Sequence, residues 1–282
     1  MNLANVLAFK IPRKPHVYTE RDAILYALGV GLGQDPLDAG QLPYVYEQQL
    51  RALPMFSLVL AHPGFWINDP GLELNWANAL HTEQYLTVLK PLKPSGRVAG
   101  DYRISGIADR GAERGATLYI EKILTDLDSG EVVARLTSGL LCRKDGGCGN
   151  HGEVPEQLSA TPDSAPDATI EWHIDSNAAL VYRLSGDVNP LHVDPAVAQR
   201  AGFERPILHG LCTMGIASQI VLRHAEALGN THLSELGCRF MKPVYPGDTL
   251  LIDIWNGDAL RFQARDAASG AVVLARGLAR FV

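Results

Sequence analysis

The chain has 282 residues, with 25 Lys and Arg against 31 Asp and Glu, so its formal net charge is −6. With 46% hydrophobic and 20% charged residues, it has the composition of a globular protein that can bury a sizeable core in one or two domains. The acidic balance argues against a general nucleic-acid-binding protein. Four cysteines without a C-x-x-C spacing argue against a disulfide scaffold, a redox pair and a zinc site.

The N-terminal segment has too short an apolar run for a signal peptide, and the chain contains no stretch of about 18 apolar residues that could span a membrane. We therefore expect a cytoplasmic protein that binds neither nucleic acid nor membrane. A peroxisomal location is the alternative if the chain is eukaryotic.

The first half begins with an apolar helical pattern that contains Tyr26 and Leu28. The short apolar segment 84–89 is ambiguous but allows a helix. Three later stretches, separated by turn residues, predict strands at 100–109, 116–127 and 132–143.

Residues 144–167 are dominated by Gly, Pro, Ser and Asp and lack apolar periodicity, which predicts a linker. The linker divides the chain into an N-terminal domain, residues 1–143, and a C-terminal domain, residues 168–282.

In the second half, the segment 211–228 is apolar on most of its faces and ends at Gly229, which predicts a largely buried helix. Turn signals at P-G-D, N-G-D and A-S-G separate the strands that follow. These strands are expected at 236–243, 249–257, 260–266 and 272–282. A long buried helix followed by an antiparallel meander predicts a sheet that wraps around the helix.

Three features of the first half recur in the second half in the same order. Tyr26 and Leu28 correspond to Tyr182 and Leu184. The segment K-P-L-K-P-S-G-R-V corresponds to K-P-V-Y-P-G-D-T-L, and D-L-D-S-G-E-V-V-A-R corresponds to D-A-A-S-G-A-V-V-L-A-R. Each is a common turn sequence when taken alone, but their shared order indicates a duplicated unit.

The densest polar cluster is Y-R-L-S-G-D-V-N-P-L-H-V-D-P, residues 182–195. It places Asp187, Asn189 and His192 close together in a loop that a glycine and a proline make rigid. Such a loop can hold a carboxylate and an imidazole for acid–base chemistry. The alternative is a capping loop, because Asp194-Pro195 has the pattern of a helix N-cap followed by Pro in the first turn.

The segment R-P-I-L-H-G-L-C places His209 and Gly210 just before the buried helix. Backbone N–H groups at a helix N-terminus are unpaired, and glycine lets a ligand carbonyl approach them, so this segment can form an oxyanion hole. The alternative is a helix entry in which glycine only relieves crowding. His209 is expected to have a structural or tautomer-setting role.

Together, S-G-D-V-N-P-L-H and the following L-H-G resemble the signature of MaoC-like (R)-specific enoyl-CoA hydratases, the second class of enoyl-CoA hydratase. The segments Y-A-L-G-V-G, D-R-G-A-E-R-G-A and K-P-V-Y-P-G-D-T-L extend the resemblance over nearly the whole chain. The resemblance implies an α+β double hot-dog fold, in which a curved antiparallel sheet wraps a long helix in each half. It also implies a homodimer.

The resemblance further implies that Asp187 and His192 are the acid–base pair and that Asn189 holds the catalytic water or its neighbours. The Gly210 amide would polarise the thioester carbonyl. No metal and no separate cofactor are implied, because coenzyme A is part of the acyl-CoA substrate.

A set of substrate- and coenzyme A-binding residues is implied in the same way. The set is His81, Thr82, Arg110, Val188, Pro190, Leu191, Arg239, Phe240 and Lys242. Thr82 replaces a glycine of the family pattern, which puts a side chain where the family has backbone alone. Arg110 replaces a lysine and keeps the positive charge.

The expected reaction is the addition of water to trans-2-enoyl-CoA to give (3R)-hydroxyacyl-CoA, or its reverse. A carboxylate, an imidazole and a backbone N–H can move the two protons and hold the charge that develops on the thioester oxygen. Which of Asp187 and His192 is the base stays open. Two alternatives are a dehydratase that acts on acyl-carrier-protein thioesters and a non-catalytic subunit that binds acyl thioesters.

The halves are not expected to be equivalent, because no His follows the first-half glycine run at the distance that the second-half loop has. The first half is therefore expected to be a degenerate domain that shapes the acyl-chain pocket. Gly29, Gly31 and Gly33 would open its core, or alternatively form a surface loop.

Overall fold

The computed structural model describes residues 1–76 and 79–282, and within these residues eleven strands form one continuous antiparallel sheet. The strands are β1 (Lys14–Tyr18), β2 (Ala79–Val88), β3 (Gly96–Asp109), β4 (Ala116–Asp126), β5 (Val132–Cys142), β6 (His151–Gly152), β7 (Ala168–His173), β8 (Leu233–Phe240), β9 (Thr249–Trp255), β10 (Leu260–Asp266) and β11 (Val272–Phe281). Their spatial order is β1-β3-β4-β5-β2-β8-β11-β10-β9-β7, and β6 pairs with β3.

The strand order confirms the predicted duplication. From the seam outward, β2, β5, β4, β3 and β1 of the first half match β8, β11, β10, β9 and β7 of the second. At the seam β2 pairs with β8, with Tyr85 opposite Gly237. The repeated K-P segments lie just before β3 and β9, and the repeated D-x-x-S-G segments form the turns before β5 and β11. The fold is therefore an α+β double hot-dog, as expected.

The helices are α1 (Leu3–Ala8), α2 (Glu20–Gly29), α3 (Leu42–Val45), α4 (Ala178–Tyr182), α5 (Pro195–Arg200) and α6 (Gly210–Ala227). Helix α6 agrees with the prediction for 211–228, and most of its 18 residues are buried. None of the helices found in residues 1–76 and 79–282 has the length and hydrophobicity that a transmembrane helix needs.

The prediction of a long helix in the first half is wrong. Among the described residues, α6 is the only helix longer than ten residues, and it lies in the second half. The chain before β2, which corresponds to α6 before β8, forms α3 and several short 3₁₀ turns, among them Pro54–Leu58. Four prolines interrupt this region, and proline removes a backbone donor and clashes with the preceding helical turn. They are Pro43, Pro54, Pro63 and Pro70.

The helix considered for segment 84–89 is also wrong, because residues up to Val88 belong to β2. This strand pairs with β5 on one side and with β8 on the other, so its backbone groups are used by the sheet. Pairing on both sides decides the ambiguous local pattern in favour of a strand.

One hydrophobic core joins the halves. It contains most of α6 and side chains from both repeats, including Tyr26 and Tyr182. The chain between β6 and β7 lacks helix and strand and lies against the second half of the sheet, where Arg276 donates to Leu158 O at 2.6 Å. The two halves thus share a sheet and a core, while the predicted boundaries at 143 and 168 stay a prediction.

Gly29 and Gly31 are buried and neither open the core nor form a free surface loop, whereas Gly33 is exposed. A Cβ on Gly29 would lie 3.2 Å from Tyr182 Cα, and a Cβ on Gly31 would lie 2.9 Å from Trp172 Nε1. Both glycines therefore permit close packing of the first half against the second, and the φ of +92° at Gly31 adds a second reason for glycine there.

Candidate active site

The polar loop between α4 and α5 is built around two turns. Gly186 has φ +126°, a conformation that favours glycine, and it turns the chain into Asp187. The Asp187 carboxylate accepts a hydrogen bond from the Asn189 N–H at 3.2 Å, and Asn189 Oδ1 accepts one from the Leu191 N–H at 3.1 Å. These bonds hold the short helical turn Pro190–His192 beside the carboxylate. The side-chain oxygen of Asn189 is thus engaged in capping, and its predicted contact with water stays a prediction.

The alternative interpretation as a capping loop is correct for the end of the segment. Asp194 Oδ1 accepts hydrogen bonds from Ala196 N–H at 2.8 Å and from Val197 N–H, and Pro195 begins α5. One loop therefore contains both the polar cluster and, at its end, the residue that caps α5.

His192 has a defined tautomer. Its Nδ1 lies 2.8 Å from the Ile207 carbonyl oxygen, and a carbonyl only accepts, so Nδ1 carries the proton. Nε2 is therefore left with a free lone pair. Burial lowers the pKa of His192, which keeps the ring neutral near pH 7, although the nearby Asp187 acts in the opposite direction.

His209 connects the polar loop to α6. Its ring stacks on His192 with centroids 3.7 Å apart, and its Nε2–H donates to the Asp187 carbonyl oxygen at 3.1 Å. Burial and the neighbouring His192 lower the pKa of His209 to about 4, so this ring is a neutral structural bridge. The sequence predicted a structural role for His209, but it did not predict the contacts of this ring with His192 and with the Asp187 carbonyl.

Asp187, His192 and His209 are the one group in the described part of the chain whose ligand atoms, all within 4.8 Å, have a metal-like spacing. One nitrogen of each imidazole is already bonded to a backbone carbonyl. Hydrogen bonding within the loop therefore accounts for the close spacing of these side chains.

Gly210 is the first residue of α6 and is exposed. The preceding His209 makes no side-chain cap bond, so the first N–H groups of the helix are free to bind an acceptor. A Cβ on Gly210 would lie 3.4 Å from two ring carbons of Phe240, which places the phenyl ring beside these donors.

The first half contributes His81, whose ring centroid lies 4.9 Å from that of Phe240. His81 Nε2–H donates to the Glu83 carbonyl oxygen at 3.0 Å, and burial lowers the pKa of His81 to about 4. Asp187 acts in the opposite direction on this pKa, so the two side chains lie within electrostatic reach.

Thr82 sits at a register shift between β2 and β5, where it replaces the glycine of the family pattern. Its backbone has no positive φ, and its Oγ1 donates to the Gly139 carbonyl oxygen at 3.2 Å. The bulge thus accommodates the threonine side chain and turns His81 and Glu83 to different faces of the sheet.

Two of the cationic residues expected to bind coenzyme A, Arg239 and Arg110, lie near Glu83 and Tyr119. Arg239 follows the alternation of β8 to the face opposite Phe240, where its Nε lies 3.7 Å from Glu83 Oε1. Arg110 and Arg239 both act on the pKa of Tyr119, so they share one cluster. Lys242 lies beyond β8 and is exposed.

Glu83 is a buried residue that sequence reasoning missed. It has no exposed surface, and its carboxylate accepts a hydrogen bond from the Tyr85 hydroxyl at 2.8 Å. The segment H-T-E-Q-Y places a glutamate inside a strand, and a charged residue at such a position could have indicated a buried polar contact.

The structure therefore brings together Asp187, Asn189, His192, Gly210, His81 and Phe240. Of the remaining predicted residues, Val188 and Pro190 are exposed on the same loop and Leu191 is half-buried.

Two family models match the chain. The MaoC like domain matches residues 157–274, and the MFE-2 hydratase 2 N-terminal domain matches residues 16–144. Among curated relatives, peroxisomal enoyl-CoA hydratase 2 of Arabidopsis thaliana is 32% identical over 96% of this chain and 92% of its own length. The 3-hydroxyacyl-thioester dehydratase Y of Mycobacterium tuberculosis is 35% identical over 94% and 93%, respectively.

The mouse peroxisomal multifunctional enzyme type 2 is 37% identical over 94% of this chain, but the match covers only 36% of that longer protein. Among solved structures, a MaoC-like dehydratase from Phytophthora capsici superposes with a TM-score of 0.85 and 28% identity, over 100% of this chain and 99% of that chain. Relatives of similar length match over more than 90% of both chains. The chain therefore belongs to the MaoC-like family of enoyl-CoA hydratase 2 enzymes.

Proposed function

We propose that this protein is a hydro-lyase that adds water to trans-2-enoyl-CoA to give (3R)-hydroxyacyl-CoA, and that it catalyses the reverse dehydration. The observation that carries the proposal is the free Nε2 of His192 beside the Asp187 carboxylate, close to the exposed N-terminus of α6. Family membership gives the same class of reaction.

In the proposed mechanism, His192 is the base. Its Nδ1–H is held by the Ile207 carbonyl, so Nε2 can take a proton from water while the water oxygen bonds to C3 of the enoyl group. The Asp187 carboxylate accepts the second O–H of that water and orients it. The electron pair of the double bond moves toward the thioester oxygen, which the Gly210 N–H stabilises.

The proton held by His192 is then delivered to C2, which restores the neutral imidazole and completes the addition of water. This sequence uses neither a metal nor a separate cofactor, since coenzyme A arrives with the substrate. The stacked His209 keeps the Asp187 backbone in place throughout.

The experiment compares Asp187→Asn, His192→Ala and the control Asp194→Asn with the wild-type protein. Asp194 lies in the same loop, but it caps α5, and asparagine caps nearly as well. Hydration of crotonyl-CoA is followed by the loss of enoyl-thioester absorbance, and folding by circular dichroism. We expect the first two variants to fold and lose hydration, and the control to keep it. Retention of more than about a tenth of wild-type kcat by either site variant would contradict the acid–base roles.

A second candidate substrate class is acyl-carrier-protein thioesters, because the M. tuberculosis relative is named for thioesters without specifying the carrier. The chemistry would be the same. Comparing kcat/KM for one acyl group on coenzyme A, on pantetheine and on carrier protein separates the two. A wild-type protein that binds these thioesters without turnover would instead be a binding subunit.

We further propose that the first half shapes the acyl-chain pocket. Residues 1–76 and 79–143 form no second acid–base cluster, and short turns stand where the second half has α6. The test compares kcat/KM for four-carbon and ten-carbon enoyl-CoA, with a preference for the longer chain expected. A strong preference for the four-carbon substrate would refute this division of roles. The homodimer and the cytoplasmic location stay predictions.

A further inference from the structure

Residues 57–61, here called the pinned segment, lie in the first half where the central helix is missing. Lys122 of β4 is buried beneath them. Its Nζ donates to the carbonyl oxygens of Ser57 at 2.8 Å, Leu58 at 3.1 Å and Leu60 at 2.9 Å. An ammonium group has three N–H donors, so each of them has a partner in this segment.

Two other strands hold the end of the pinned segment. His16 Nδ1 of β1 accepts from the Ala61 N–H at 2.8 Å, and the Tyr102 hydroxyl of β3 donates to the Ala61 carbonyl oxygen. Ala61 has φ +55°, a left-handed conformation that is unfavourable for alanine. Such a conformation persists only where surrounding contacts fix it, and here side chains from three strands do so.

The pinned segment lies next to the loop of the second half that carries Asp187 and His192. A Cβ on Gly186 would lie 3.9 Å from Val59 O, so the two backbones are close neighbours. The next residue after the segment is His62, whose Nδ1 accepts from the Gly64 N–H at 3.1 Å. Burial lowers the pKa of His62 and Asp187 opposes this, which places the imidazole within electrostatic reach of the carboxylate.

We propose that Lys122 is a positioning residue for the hydratase reaction: it fixes the pinned segment, which in turn supports the loop that carries Asp187 and His192. The expected effect of Lys122 on the reaction rate rests on the proposed function. The mechanical part stands on the three carbonyl contacts and the approach of Val59 to Gly186. Burial lowers the pKa of Lys122 to about 7, and no salt bridge to a carboxylate opposes this shift within residues 1–76 and 79–282.

The test compares Lys122→Met with the control Lys93→Met. Lys93 also lies in the first half, but its side chain is 60% exposed and pairs with Asp126 away from the pinned segment. Steady-state hydration of crotonyl-CoA and amide hydrogen exchange are measured for both full-length variants. We expect Lys122→Met to lower kcat by about tenfold or more with little change in KM, since small displacements of reacting groups are costly. We also expect faster exchange at the amides of residues 186–189, with α6 unchanged.

A folded Lys122→Met variant with wild-type kcat and unchanged exchange in the loop would overturn the proposal. Exchange that rises evenly over the whole protein would also overturn it, because the lysine would then be a general stabiliser. If Lys122→Met does not fold, Tyr102→Phe removes only the hydroxyl that holds Ala61 and is judged by the same two outcomes. A wild-type protein without hydratase activity would refute the proposed function, while the exchange measurement would still decide the mechanical role.

Discussion

Replacing Gly210 with alanine separates catalysis from stability. An added Cβ would lie 3.4 Å from two carbons of Phe240, which is ordinary van der Waals contact, and the residue does not have a positive φ. Alanine is the better helix former, by up to about 1 kcal/mol in a helix interior, so the free energy of unfolding should not fall. The methyl group would nevertheless stand beside the free N–H that we assign to the thioester oxygen. Alanine keeps the N–H, so its effect is steric: the added Cβ would hold the thioester oxygen away from this donor. Complete exclusion from one such donor would lower kcat by about 10²–10³-fold, or about 2.7–4 kcal/mol of transition-state stabilisation.

Gly215→Ala in the same helix is the matched control. Its Cβ would lie 2.5 Å from Val30 Cγ1 and 3.3 Å from the Tyr26 hydroxyl, both in the core. Overpacking of this kind costs about 1–3 kcal/mol and should lower the melting temperature by several degrees.

Crotonyl-CoA hydration gives kcat, and circular dichroism gives the melting temperature of each variant. We expect Gly210→Ala to lose activity without losing stability, and Gly215→Ala to lose stability while its folded fraction keeps most of its activity. A Gly210→Ala variant with near wild-type kcat would refute the claim that the thioester oxygen must approach the helix N-terminus closely at Gly210.

Two pH effects follow from the buried histidines. The pKa values of His81 and His209 are lowered to about 4, so between about pH 6.5 and pH 4 the unfolded chain binds more protons than the folded one. Their contribution to stability is therefore complete above about pH 6.5 and is lost as the pH falls toward 4. Each group lowers the free energy of unfolding by up to about 1.4 kcal/mol per pH unit. A melting temperature that does not change with pH over this range would contradict this prediction. For the base His192, whose pKa burial also lowers, the acid limb of kcat/KM should fall at a pH below 6.5.

Local patterns predicted the second half well because its elements agree with their tertiary surroundings. The apolar segment 211–228 corresponds to α6, and the strand predicted at 260–266 coincides with β10. The turn signals between the strands are strong, and one face of each strand is buried, so periodicity and packing indicate the same structure.

The secondary structure of the first half was harder to predict from the sequence, because pairing between strands decides it. Strand β1 contains Pro15, which weakens a strand pattern, yet β1 is an edge strand that pairs only with β3, where proline is tolerated. Segment 84–89 has no clear period of its own and becomes a strand only because β5 and β8 flank it.

Within the site, chain proximity in one rigid loop predicted that Asp187 and His192 meet. The stacking of His209 on His192 and the approach of His81 to Phe240 depend on the packing of α6 and β2 against the loop. The Glu83–Arg239 pair forms across the seam between the halves, where neither local sequence contains the partner. Contacts between distant segments of this kind have no local signature.

The two repeats differ at the position to which we assign the oxyanion site. In the second half, α6 begins with Gly210 and leaves backbone N–H groups free at its positive end. In the corresponding place before β2, the turn Pro54–Leu58 begins with a proline, which has no N–H to offer. The carbonyl oxygens of Ser57 and Leu58 in that turn are bound by Lys122. The same position in the two repeats therefore has free backbone donors in one half and satisfied acceptors in the other. If the proposed oxyanion role holds, duplication of the fold has not duplicated the chemistry.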